Sequence, residues 1–175
     1  MRVTIFVVLI ALLAGRAQAG DWTGPYAGVQ AGQINGGTDP DGTRTTYGAH
    51  GGYDFDYGRL VLGGEIEVAH MHGVQGAGQI SGQISGQTPG TVGRLKFRAG
   101  HDFGSTMAYA VLGGVNGDTQ SGSETGVVYG LGLLAAMGER LTLSGEALRQ
   151  VFGNFANSGS SLKTDSFTVR VSFRF

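Results

Sequence analysis

The sequence predicts an all-β fold: an eight-stranded antiparallel up-and-down transmembrane β-barrel. Three observations carry this expectation. Eight segments alternate apolar and polar residues with a period of two, and helical periodicity is nearly absent. The connections between those segments alternate long and short. The face opposite the apolar one carries glycines and charges of both signs at mid-strand positions.

The first 19 residues stand apart. Arg2 precedes an apolar run from Val3 to Ala14, and Ala17 and Ala19 form an A-x-A cleavage signature. This reads as a secretory signal peptide, 1–19, cleaved before Gly20. The apolar run is too short to cross ~30 Å of hydrocarbon as a helix. Without Arg2 and Arg16, 12 − 2 = 10 basic residues face 13 acidic ones, a formal charge of −3. The remainder, 20–175, reads as one barrel domain, and it holds no second long apolar run.

Composition narrows the class further. Glycine occurs 34 times in 175 residues, ~19% against a usual ~7%. Charged residues are only 14%. No Gly-x-y period is present, which argues against a fibre. Cysteine is absent, which excludes disulfides, thiolate metal sites and cysteine nucleophiles. The near-neutral balance gives no reason to expect nucleic acid.

The elements follow in order. Gly24–Ile34 places Tyr26, Gly28, Gln30 and Gly32 on one face and Ala27, Val29 and Ala31 on the other. Thr46–Tyr57 sets Tyr47, Tyr53, Phe55 and Tyr57 against Gly48, His50, Gly52 and Asp54. Leu60–His72 sets Leu60, Leu62, Ile66 and Val68 against Glu65 and Glu67. Thr91–Phe103 sets Leu95, Phe97, Ala99, His101 and Phe103 against Arg94, Lys96 and Arg98. Three further strands are expected over Met107–Asn116, Thr125–Met137 and Leu141–Phe152, and the last over Asp165–Phe175. Tight turns are expected after Tyr57, Phe103 and Met137, and long loops after Ile34, His72, Asn116 and Phe152. Residues 73–90, with the repeat QISGQISGQ, are the lowest-complexity of these loops. All tight turns at one end is what an up-and-down meander produces.

The charged face separates a barrel from its soluble alternative, a secreted sandwich. Glu65, Glu67, Arg94, Lys96, Arg98, Glu146 and Arg170 lie at the middle of neighbouring strands. A solvent face has no need of that arrangement. Inside an eight-stranded barrel, side chains fill the lumen and lose water, so opposite charges must meet. Lipid then receives the apolar face, and closure removes the unpaired edges that lipid cannot solvate. This acidic–basic set is the leading candidate site, read first as structural neutralisation and second as the lining of a narrow ion path.

Histidines are weaker candidates. His70 and His72 share a strand face, outward by parity, with no third metal ligand nearby. His50 faces inward, and no Ser-His-acid arrangement is evident on neighbouring strands. No catalytic residue, metal site or cofactor is expected.

The motifs also carry a resemblance. WTGPYAGVQAG at Trp22, then LGGEIE, RLKFRAG, YAVLGGV, VVYGLGLLAAMGERLTLSGEAL and VRVSFRF follow one another in an order that resembles the small porin-like, surface-antigen barrels of Gram-negative outer membranes, related in plan to the outer-membrane protein A barrel. Two departures stand out: His101 in place of a common Tyr, and Leu148 where a basic interior partner is usual. The resemblance implies outer-membrane location, lipid as the surrounding partner, and delivery by periplasmic chaperones to the barrel-assembly machinery. It implies that the terminal strand, through Val171, Phe173 and Phe175, carries the assembly signal. The expected role is envelope integrity and loop display, and no enzymatic activity is expected, since the serines lie mostly in loops. A weak porin-like channel, an adhesin with an unknown extracellular partner, and a lipid A-modifying enzyme are the alternatives.

Overall fold

The computed structural model describes residues 21–36, 44–72, 90–119, 122–152 and 162–175. The expected signal peptide lies outside the described residues. The described chain is all strand and turn: β1 (Gly24–Gly36), β2 (Arg44–Asp56), β3 (Leu60–His72), β4 (Thr91–Asp102), β5 (Thr106–Thr119), β6 (Gly122–Met137), β7 (Leu141–Phe152) and β8 (Leu162–Arg174). Each strand pairs antiparallel with the next, and β8 pairs back to β1, closing the barrel. Among the described residues there is no helix.

Side-chain parity sorts every strand as its sequence alternation requires. Val29, Ile66, Leu95, Phe97, Leu112 and Leu131 stand exposed on the outer wall. Gln30, His50, Asp54, Glu65, Lys96, Glu146 and Arg170 are buried inside it. The molecule is thus apolar outside and polar within, the inverse of a soluble sandwich. Most exposed aromatic side chains sit towards the ends of the outer wall, with Tyr57, Phe103 and Phe175 at the turn end and Tyr47 and Tyr129 towards the loop end, while Phe97 stands at mid-height.

Two of the three tight turns use one device. Asp56-Tyr57-Gly58 and Asp102-Phe103-Gly104 each let the Asp Oδ1 accept the glycine N–H, at 2.7 and 2.6 Å. Gly58 and Gly104 take φ of +86° and +94°, which glycine adopts without a Cβ penalty. The ladder then resumes through Tyr57 N–H to the Leu60 carbonyl and Phe103 N–H to the Thr106 carbonyl.

The third expected long loop is corrected by the structure. Positions 117–119 and 122–124 are strand, paired in register from Asn116↔Thr125 to Thr119↔Gly122. Glycine, serine and aspartate there carry no apolar alternation, so the sequence reads as a loop. Backbone pairing needs no apolar face, and a ladder once begun extends into polar sequence. The other three expected loops fall mostly outside the described residues.

Inward glycines make the tight curvature possible. A Cβ at Gly113 would drive into the Leu95 carbonyl, whereas a Cβ at its neighbour Gly114 would meet nothing within 4 Å. Gly113→Ala is therefore expected to destabilise the barrel by roughly 1–3 kcal/mol. Gly114→Ala should be neutral or stabilising by up to about 1 kcal/mol, through loss of unfolded-state entropy. Urea midpoints of the two variants in detergent check the contrast, and equal effects would contradict the packing described here.

Candidate functional site: the buried charge network

All seven sequence-predicted interior charges meet in one network. Lys96, from the middle of β4, is its hub. Its Nζ lies 2.8 Å from Glu65 Oε1, 2.6 Å from Glu67 Oε2 and 2.7 Å from Glu146 Oε1. Arg170 on β8 closes a second ring, 2.6 Å from Glu65 Oε1 and 2.8 Å from Glu146 Oε2. Arg94 pairs with Glu67, and its guanidinium also donates to Gln150 Oε1 at 3.2 and 3.1 Å. Arg98 extends the network to the turn end through Asp54 and, more loosely, Glu65 at 3.8 Å.

Register explains the convergence. Glu65 stands opposite Lys96, and Glu67 opposite Arg94, so β3 supplies acids where β4 supplies bases. Glu146 and Arg170 come from β7 and β8, on the far side of the lumen from β3 and β4. These ions are almost wholly buried, so their pairing replaces lost hydration.

Several participants were not singled out in the sequence. Asp54 is fully buried and binds both Arg98 and Arg174. Tyr26 and Tyr109 donate hydroxyl hydrogen bonds to Glu65 and Glu146, at 2.9 and 3.1 Å. The same two rings flank the Arg98 guanidinium, 4.4 and 5.4 Å from its centre. Inward parity was the available signal for Asp54, Tyr26 and Gln150. Tyr109 shares its inward parity with Val111 and Val115, so the alternation there carries no sign of a polar contact.

Leu148 clarifies the departure at that position. It lies in an apolar layer with Ile34, Met71, Val92, Val115, Val128 and Phe152, towards the loop end of the lumen. Gln150, two residues on, takes the polar contact with Arg94.

The histidines divide. His50 Nε2 lies 2.8 Å from Ser172 Oγ, so a buried Ser–His pair does exist across β1. The sequence reading missed it because the two residues are 122 positions apart. His50 Nδ1 has no hydrogen-bond partner among the described residues, so no acid orients the ring. His70 is exposed, with Nδ1 3.0 Å from Thr91 Oγ1, and the His72 side chain lies outside the description. Among the described residues no group of three or more His, Cys, Asp or Glu could hold a metal.

Val171, Phe173 and Phe175 form an exposed outward row, and the last two rings meet edge-on at 5.3 Å. Outside the strands, Asp21 accepts hydrogen bonds from Thr23, which hold its carboxyl below the usual carboxylate range.

A closed barrel with an apolar wall and a charged interior is matched by a family model. The model for the outer membrane protein beta-barrel domain matches residues 4–175. The chain belongs to this family. It is an outer-membrane β-barrel protein. Among solved structures it is similar to neisserial surface protein A (NspA), at 11% identity over 87% of this chain and 98% of that one, with a TM-score of 0.57. It is also similar to Ail, the attachment invasion locus protein of Yersinia pestis, at 14% identity over 87% and 97%, with a TM-score of 0.46. At 11% identity the likeness to NspA is one of fold. No curated protein matches the chain in sequence.

Proposed function

We propose that this protein is a closed barrel that braces the outer membrane and displays its loop-end segments, and that its lumen does not conduct ions. The observation that carries the reading is the filled interior. At mid-height Lys96 and Arg170 bridge Glu65 and Glu146 across the lumen. Towards the loop end the apolar layer around Leu148 and Phe152 follows. An ion on this path would have to displace paired charges and then cross apolar side chains, each at a cost of several kcal/mol.

The purified protein in planar bilayers is expected to give no unitary conductance steps. Steps whose size changes when Arg94 or Glu65 is neutralised would assign the lumen to a channel instead. The lipid A-modifying alternative is disfavoured by the site chemistry, since Ser172 and His50 are buried and no acid among the described residues bonds the second ring nitrogen of His50. The row Val171, Phe173 and Phe175 faces outward, where lipid and the assembly machinery could both read it.

A further inference from the structure

We propose that the segment before β1 and the end of β8 form a clasp that holds the β1–β8 seam shut, with Arg174 as its pin. The seam is singular in this topology. Every other strand pair consists of neighbours in sequence, whereas β1 and β8 meet only through their ladder and side chains. An opened seam would expose two unpaired edges, the costliest defect a barrel can suffer in lipid.

Arg174 reaches past β1 altogether. From β8 its Nη1 donates to Asp54 Oδ2 on β2 at 3.1 Å, and its Nη2 donates to the Trp22 carbonyl. Its guanidinium lies 5.5 Å from the centres of both the Trp22 and Tyr26 rings, within reach of cation–π attraction. Trp22 is 2% exposed although it precedes the first strand. Gly24, at φ +136°, turns the chain into β1.

The same segment is stitched to β2. Trp22 N–H donates to Asp56 Oδ2, and Asp56 N–H donates to Thr23 Oγ1, both at 3.1 Å. Phe175 N–H returns to the Pro25 carbonyl at 3.1 Å. β8, the pre-strand segment and β2 are thus tied together over the turn end of β1. Asp54 also holds Arg98, so the clasp is continuous with the buried network. The opening Trp22–Tyr26 motif and the closing Phe173–Phe175 motif, separate in sequence, are two halves of one fastening.

The inference concerns the seam alone and stands whether or not the lumen conducts. It is tested by amide hydrogen exchange on the intact barrel refolded in detergent. Arg174→Gln is expected to speed exchange at the seam amides of Ala27, Val29 and Val171 by ~10-fold or more, as loss of charge-assisted hydrogen bonds implies. Amides of β4 and β5 should be unaffected. Arg149→Gln removes an exposed β7–β8 ion pair and should leave the seam unchanged. A disulfide between Ala27→Cys and Phe173→Cys, register partners across the seam, should abolish the Arg174→Gln effect. If Arg174→Gln does not refold, Thr23→Val, which cuts only the stitch to Asp56, should still raise exchange selectively at the same three amides. A uniform rise over all strands, no rise at the seam, or an effect that survives the disulfide would overturn the proposal.

Discussion

Lys96→Met is expected to prevent assembly of a stable barrel, or to lower its stability by about 3–5 kcal/mol, as for breaking a buried ion pair from one side. Lys96 Nζ touches three carboxylates within 2.8 Å, and its side chain is 2% exposed. Removing it leaves Glu146 to Arg170, Glu65 to Arg170 and the more distant Arg98, and Glu67 to Arg94. Water has little access to take up the remaining negative charge. Because the cost is uncompensated charge more than lost packing, a second change should recover part of it. Lys96→Met with Glu146→Gln is expected to be more stable than Lys96→Met alone, a positive coupling measured by a double-mutant cycle. Urea unfolding in detergent, with heat-modifiable gel mobility as the fold readout, gives both numbers. A Lys96→Met barrel as stable as the parent would show that the network contributes nothing to stability.

Ile66→Arg is the second large expected effect, and its sign depends on what surrounds the barrel. Ile66 is 66% exposed, near the middle of β3, between Gly51 and Leu95 on the outer wall. In water, an arginine at so exposed a position would change stability by no more than ~0.5 kcal/mol. In a bilayer, a charge facing mid-membrane lipid costs about 2–4 kcal/mol. The substitution should therefore impair insertion and stability in phospholipid vesicles. Asp165, paired with Arg149 on the outer wall towards the loop end, marks where charge is tolerated there. Asp165→Asn should accordingly have a far smaller effect than Ile66→Arg in the same vesicles. Equal effects at the two positions would place the apolar band elsewhere.

The fold was largely legible because a β-strand sorts its side chains by parity alone. Ile66 against Glu65 and Glu67, or Phe97 against Lys96 and Arg98, declares a two-sided strand before any partner is known. The Asp-aromatic-Gly turns are equally local, since their hydrogen bonds span two residues. The β5–β6 connection was misread for the converse reason. Its strand state comes from a partner across the ladder, and polar residues there carry no sign of it.

The seven interior charges were also legible as a set, yet not their pairing. That Lys96 serves three carboxylates, that Arg98 lies between the Tyr26 and Tyr109 rings, and that His50 meets Ser172 all depend on which strands face one another across the lumen. Closure brings β7 and β8 round to face β3, and no local pattern encodes that encounter.

By itself, then, the sequence determined the strand count, the face of each strand and the inversion of polarity that calls for lipid outside. These follow from short-range periodicity and turn chemistry. The tertiary structure alone decided which ions pair, where the apolar layer interrupts the lumen, and that Arg174 fastens β8 to Trp22 and Asp54. Those contacts join residues far apart in the chain, and they exist only once barrel closure has fixed register around the whole sheet.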